Sequence, residues 1–526
     1  MLATIFQRLT ACLLLCAAVQ AHALTAAQAL AMAAGDTDDR VAAVRQAALD
    51  PSEQTAAFLQ ALADDEVRVA GGKAFIVKGD KGYDPSSGAE VRLPEDAEDI
   101  INNNRMRGEI DMALAGLALL GQDEAKRLAA ARALTKEPDA SRMALLDKAL
   151  AQETSERVKA QLVLARAATL LGSDDAAERM AAAQALSASA TPDTRLLLNE
   201  RVAVEEDAKV KAALLAALKT LDEKLAWGER LGAAFSGISL GSILLLVALG
   251  LAITYGLMGV INMAHGELMM IGAYATYVVQ GVFQKFFPGA FDGYLVAAVP
   301  LAFATSAAVG AVLERSVLRF LYGRPLETLL ATWGISLVLM QLVRTIFGAQ
   351  NVGVENPAWM SGGVQVLSNL TLPYNRLVII GFAIAVLLGM GYLLARTRLG
   401  LFVRGVTQNR PIASCMGVNT ARVDTLAFAL GSGIAGLAGC ALSQVGNVGP
   451  DLGQSYIVDA FMVVVLGGVG QLAGTVYAAL GLGILSKFLE GWTGAVLAKI
   501  AVLVLIIVFI QKRPQGIFAV KGRTAD

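Results

Sequence analysis

From Leu231 to Ile510 the chain is a succession of apolar runs, each of about 20 residues and so long enough to cross the hydrocarbon core of a bilayer. Lipid offers no partner to a backbone N–H or C=O, so such runs must be helices that satisfy their own hydrogen bonds. Nine spans are expected, near 232–258, 266–284, 293–313, 326–347, 374–395, 423–445, 456–472, 474–490 and 495–511. The seventh and eighth are closely joined and can be partly re-entrant, which puts the count at eight or nine. Charge is segregated to match. Residues Asp36 to Arg230 hold much of the Asp, Glu, Lys and Arg, and the shift near Trp227-Gly228 marks a domain boundary. The divisions expected are 1–23, 24–228 and 229–526. A net charge of −1 gives no electrostatic case for nucleic acid as a partner.

The first segment reads as a signal peptide. Arg8 precedes an apolar run from Leu9 to Val19, followed by Ala21-His22-Ala23 with small residues at the cleavage positions. Its removal would leave His265 as the single histidine, and Cys415 and Cys440 as the remaining cysteines. The exported domain would then fold without disulfides. Zinc sites built from several histidines, and paired His acid–base chemistry, are unavailable. No metal or organic cofactor is expected.

Between Ala26 and Leu225 apolar residues recur at three- and four-residue spacing, the helical period. Arg40–Leu49 and Gln54–Leu62 form one expected antiparallel pair, broken at Asp50-Pro51. Phe75-Ile76-Val77 and Val91-Arg92-Leu93 flank a stretch with Gly79, Gly82, Pro85 and Gly88, which predicts a small β-hairpin insertion. Beyond it lies a repeat. Arg127–Leu134 (RLAAARAL) matches Arg179–Leu186 (RMAAAQAL), and Val158-Lys159-Ala160 recurs as Val210-Lys211-Ala212, both 52 residues apart. One offset shared by two matches predicts stacked helical units, an α-solenoid of the HEAT type. The fold class is therefore all-α, a soluble HEAT-like solenoid followed by a polytopic membrane domain. Charges such as Glu156, Arg157 and Lys159 read as solvated helix faces.

Within the membrane domain Gly431, Gly433, Gly436 and Gly439 form a small-residue face, and Gly470 and Gly474 a GxxxG pair, both signals for close helix packing. Arg315, Arg319 and Arg324 cluster in one loop, and Arg396, Arg398, Arg404, Arg410 and Arg422 in another. Lys512, Arg513, Lys521 and Arg523 occupy the tail, while 349–375 has neither Lys nor Arg. The positive-inside rule then makes these three clusters cytoplasmic, with the exported domain and nine spans giving the same orientation. Asn262, His265, Thr332, Trp333, Gln444 and Asn447 can supply hydrogen bonds to a polar solute near span ends or breaks. Glu267 and Asp459 are ionisable residues within membrane segments and are candidates on that ground. The alternative for His265 and Glu267 is a structural elbow, and for Asp459 an ion pair with Lys499. In the basic loop Asn409 can cap a short helix that starts with Pro411 at its first turn and stops at Gly417.

Three stretches carry a family resemblance. Gly237–Leu268, Arg396–Val423 and Val463–Leu485, with the tail Arg513–Phe518, are similar to the branched-chain amino acid and urea permeases of bacterial ABC importers, and the match covers residues 232–520. Met263, Leu401 and Ala473 depart from the family pattern. Arg324–Leu339, Gly348–Gly363 and the large exported domain resemble the urea-type branch. The resemblance implies a permease subunit that moves urea or a related short amide across the inner membrane. It would work with a second permease, cytoplasmic ATPase subunits and a periplasmic binding protein. The loop would dock the ATPase through Arg398, Gly400, Arg404, Gln408, Asn409, Arg410, Ala413 and Gly417. No GxxxxGK[ST] occurs, since Gly481–Lys487 has Ser486 at the second Gly position; ATP would be bound by the partner and the chain would not be an enzyme. Branched-chain or other amino acids are the alternative cargo, and an ATP-independent channel or secondary carrier the alternative class.

Overall fold

The computed structural model describes residues 24–49, 52–79, 81–94, 96–259 and 262–518. The expected signal peptide, the break at Asp50-Pro51, and Lys521 and Arg523 of the tail lie outside the described residues. The chain divides into two compact units at Leu225/Ala226. Trp227 and Gly228, where the composition changes, fall inside one long helix, α10 (Ala208–Met258), so composition and backbone change at different places.

In the first unit α1 (Ala26–Ala33), α2 (Thr37–Leu49) and α3 (Glu53–Ala63) precede a sheet of β1 (Val67–Ala70), β2 (Lys73–Lys78), β3 (Lys81–Tyr83), β4 (Glu90–Val91) and β5 (Glu98–Asp99). The strand order is β4-β3-β2-β1-β5, and each neighbouring pair is antiparallel. This corrects the expectation of a single hairpin. Phe75–Val77 pairs with β1 and β3, and Val91 pairs with Gly82, so the two segments expected to face each other are separated by a strand. The turn that builds β1–β2 is Gly71-Gly72, with φ of 54° and 68°. Two consecutive positive φ values are what a two-residue type I′ hairpin needs, and glycine adopts them without strain.

Six helices follow: α4 (Asn104–Ala118), α5 (Glu124–Lys136), α6 (Met143–Gln152), α7 (Glu156–Leu170), α8 (Ala176–Leu186) and α9 (Pro192–Val204). The 52-residue offset seen in sequence recurs in three dimensions. Asp123 caps α5 and Asp175 caps α8, each accepting from the amide two residues on, at 2.8 and 2.9 Å. Leu134 and Leu186, Val158 and Val210, and Leu162 and Leu214 are all buried. Arg127 binds Glu153 through Nε at 2.8 Å, and Arg179 binds Glu205 through Nη2 at 2.9 Å. Both guanidiniums also donate to the two carbonyls before their helix, Gly121 and Gln122 for one, Ser173 and Asp174 for the other. The carboxylate arms are nearly fully covered, so each clip is a forked, charge-assisted bond. These arginine bonds hold the Glu153 and Glu205 carboxyls below the usual carboxylate range.

The second unit continues with α11 (His265–Phe286), α12 (Tyr294–Ser316), α13 (Pro325–Phe347), a β-hairpin of β6 (Gly363–Leu367) and β7 (Leu370–Pro373), and α14 (Tyr374–Arg396). Then come α15 (Arg398–Gln408), α16 (Arg410–Cys415), α17 (Thr420–Ser443), α18 (Leu452–Gly467), α19 (Leu472–Thr493) and α20 (Ala495–Lys512). Among the described residues seven helices are long and apolar enough to cross a membrane: α10, α12, α13, α14, α17, α19 and α20. The expected count of eight or nine included two that fail this test, each for a physical reason. α11 has 22 residues but carries Glu267, Gln280, Gln284 and Lys285, and its first half is buried in protein. α18 has 16 residues, about 24 Å at 1.5 Å per residue, short of the ~30 Å hydrocarbon core.

Around α17 glycines bring backbone against backbone. α17 is central: its apolar window is 78% buried, against 17% for that of α14. A Cβ on Gly439 would fall on the Met269 carbonyl of α11, and one on Gly436 on the Ala302 carbonyl of α12. The expected Gly470–Gly474 pair is not such a face. Gly470 sits in the α18–α19 turn with φ 75°, and Gly474 packs on Gly467 instead.

Candidate functional site

Two helices of the second unit begin inside the bundle. α10 ends at Met258, and α11 restarts at His265 beside the midpoints of its neighbours. Ser306, midway along α12, donates to the Leu268 carbonyl at 2.9 Å, and Ser336, midway along α13, donates to Glu267 Oε1 at 2.9 Å. α18 begins at the same place, since a Cβ on Gly266 would strike the Gly453 backbone. This explains why α18 is short. Neither helix start has a side-chain cap bond. Non-helical backbone at such depth is tolerated only where it is enclosed by protein or lines a polar cavity.

The side chains at the break divide between two faces. His265 and Glu267 are two residues apart on a helix of 100° per residue, so they point in nearly opposite directions. His265 faces α10: Nε2 lies 3.2 Å from the Val247 carbonyl, and a Cβ on Gly250 would come within 3.0 Å of the ring. Glu267 faces α13. Its Oε1 accepts from Ser336, while Oε2 is buried without a partner. Thr332, one turn before Ser336, accepts from the Met263 amide at 3.2 Å. Asn262 Oδ1 accepts from the Ala264 amide at 3.0 Å, and its Nδ2 is buried and unpartnered. Tyr274, seven residues beyond Glu267 and so on its face, has a buried hydroxyl without a partner and packs 4.7 Å from Phe347 of α13. Thus Asn262, Glu267 and Thr332 gather along the α11–α13 seam, with Ser336 and Tyr274 added. Among the described residues of this unit no Lys or Arg is buried.

The remaining candidates lie elsewhere. Trp333 is on the exposed face of α13, a position its neighbour Thr332 vacates for the buried side. Gln444 is buried at the far end of α17, where Oε1 accepts from Tyr294 at 3.1 Å, and Asn447 is exposed beyond it. Asp459 pairs with Lys499 at 3.2 Å, beside a cavity of about 140 Å³ lined by Leu240, Met462 and Leu482. Ser336 had a readable signal. Thr328, Thr332 and Ser336 recur every four residues through the apolar middle of the helix, one polar stripe on one face.

The basic loop folds as its spacing predicts. Asn409 caps α16 by accepting from the Ile412 amide at 3.0 Å, and Pro411 occupies the first turn. Gly417 has φ 84°, and the Val418 amide reaches the Ala413 carbonyl at 3.1 Å, closing the helix with a left-handed residue. Arg398, Arg404, Gln408, Asn409 and Gly417 are exposed, whereas Gly400 and Ala413 are buried. Ile412 and Met416 present an exposed apolar pair one turn apart.

Among the described residues, seven apolar helices packed with a helix that restarts inside the bundle define a polytopic membrane protein with a buried polar seam. The family described as branched-chain amino acid transport system / permease component matches residues 233–511, just over half of the chain, and the chain belongs to that family. The high-affinity branched-chain amino acid transport system permease protein LivH of Escherichia coli (strain K12) is 29% identical over 290 residues, 54% of this chain and 93% of the relative. The corresponding protein BraD of Pseudomonas aeruginosa is 27% identical over 286 residues, again 54% and 93%. The ribose import permease protein RbsC of Escherichia coli (strain K12) is 30% identical over 202 residues, 37% of this chain and 60% of the relative. No solved structure matches the chain. Of these three names, two carry branched-chain amino acids, one ribose and none urea.

Proposed function

We propose that the chain is the permease subunit of an inner-membrane ABC importer, and that its solute passes the α11–α13 seam at the break before His265. The observation that carries this is Glu267: a carboxylate 1% exposed, with one oxygen bonded to Ser336 and the other unpartnered, where two helices start inside the bundle. An ionisable residue in such a place is costly to bury, and its presence marks a solute path or a relay. α16, exposed and capped at both ends, suits docking to an ATPase subunit. A second permease, a periplasmic binding protein, an exported HEAT-like solenoid and a cytoplasmic C-terminus complete the reading.

The relatives' names put branched-chain amino acids first as cargo. Glu267 would accept from the ammonium group, and the uncapped helix starts, with their positive dipole ends, would face the carboxylate. Urea is the second reading. It is favoured by a seam that offers acceptors, an amide and hydroxyls but no buried Lys or Arg to match an anion, together with the stretches at 324–339 and 348–363. Both cargoes share N–H donors, which is what Glu267 selects.

Uptake of labelled leucine and labelled urea, measured in cells with and without the chain, decides between them. One solute should accumulate in a vanadate-sensitive manner, and Glu267→Gln should lower that uptake about tenfold, the scale of one charge-assisted hydrogen bond. Equilibration that ignores vanadate would indicate a channel or carrier. Accumulation of neither solute, with the protein abundant, would sink the proposal. His265→Ala serves as the control: it should reduce the amount of assembled protein, at about 1–3 kcal/mol for a lost buried bond, and leave uptake per copy unchanged.

A further inference from the structure

We infer that Arg410, Tyr322, Glu314, Asp424 and Thr425 form the joint through which a displacement of α16 is transmitted to the solute seam; this rests on the permease reading above. α16 has one buried residue, Ala413, so side-chain packing alone holds it weakly. Its first residue supplies the rest. Arg410 is ion-paired with Asp424 at the start of α17, and its guanidinium lies 5.0 Å over the Tyr322 ring. Tyr322 donates to Glu314 Oε1 at 2.9 Å, and Thr425 donates to Glu314 Oε2 at 2.6 Å. Glu314, in the last turn of α12, and Asp424 are 2% and 0% exposed. The cluster therefore ties α16, the end of α12 and the start of α17 through buried carboxylates whose partners come from different elements.

What the joint grips is stiff. α12 and α17 touch backbone to side chain at Gly310–Ser432 and backbone to backbone at Gly436–Ala302. They are fastened again at their other ends, where Tyr294 donates to Gln444 and to the Glu355 carbonyl. The same pair holds the start of α11, through Ser306 to the Leu268 carbonyl and Gly439 against Met269. A shift of α16 must thus move α12 and α17 together, and with them the helix that carries Glu267. Buried polar contacts between rigid elements transmit in this way because their partners cannot part without leaving a desolvated charge.

The test uses the whole importer, purified through this chain with its co-expressed subunits and reconstituted in liposomes, with leucine and urea as probes. Asp424→Asn and Tyr322→Phe should leave the amount of complex and its ATP hydrolysis near wild type, while solute moved per ATP falls about tenfold, within the usual range of coupling energies. Asp424→Glu should restore most of the loss, which a role in overall folding alone would not produce. Wild-type coupling in assembled Asp424→Asn and Tyr322→Phe complexes would overturn the inference. Loss of assembly in all three variants would overturn it too, making the cluster a fastening only. Failure of the permease reading shows in the wild-type arm alone, as a chain that retains no ATPase and moves neither probe.

Discussion

The two units are both mainly helical, yet they hold together by opposite means. In the first, buried Leu, Val and Ala side chains recur every 52 residues, and carboxylates paired to arginine close each repeat. In the second, glycines bring backbones into contact, and buried carboxylates sit at a helix break and at a joint without a 52-residue repeat. The difference follows from the solvent. Water drives apolar side chains together whatever their shape, so Ala, Leu and Val suffice to fill the first unit. Lipid is as apolar as leucine and gives no such force, so association depends on close approach and on polar contacts.

The strongest break of this contrast is Gly439→Ala. The added carbon meets the Met269 carbonyl, and overpacking of a fixed backbone costs about 1–3 kcal/mol or more. The variant should lose folded protein on heating in detergent well before the wild type, and wild-type behaviour would disprove the backbone-contact reading. Next comes the pair of arginine clips. Residues 24–228 should be soluble, monomeric and mainly helical by circular dichroism. Because Glu153 and Glu205 are held below the ordinary carboxylate value of 4.5, the stability they add is complete above that pH. It is lost as pH falls through their lowered values. Thermal melts should therefore drop on acidification, and Arg127→Ala should melt lower at neutral pH while losing part of that acid dependence. An unchanged acid dependence would remove Glu153 as its source. The smallest effect has the opposite sign. A Cβ on Gly108, inside α4, meets nothing within 4 Å, so Gly108→Ala should raise the stability of the first unit by about 0.5–1 kcal/mol. The same chemical change then stabilises one unit and disrupts the other.

Much of the architecture was legible because it follows from period and composition. The spans from α12 to α17, the cap at Asn409 and the stop at Gly417 each have a local cause in the residues that form them. The sheet was under-read, since Gly71-Gly72 was the turn signal and its flanking strands are only four and six residues long. The site was half legible. Glu267 stands out as an acid in an apolar run, but nothing local says that His265 turns to α10 while Glu267 turns to α13. Tyr322 is eight residues from Glu314, but Thr425 reaches the same carboxylate across 111 residues and brings Asp424 with it, a meeting made by tertiary packing that no spacing rule encodes. Trp333 shows the converse: a polar-capable residue at the right position along a helix, on its wrong face.

The arginine clips of the first unit also set how that unit can change length. Each closes a segment with its arms 26 residues apart, and cap, guanidinium, carboxylate and core residues all shift together by 52. An insertion or deletion of one full block returns Asp, Arg, Glu, Leu and Val to equivalent places. Any other step strands a guanidinium away from its carboxylate in a covered position. The spacing between the clips is thus set by a whole block and not by single turns.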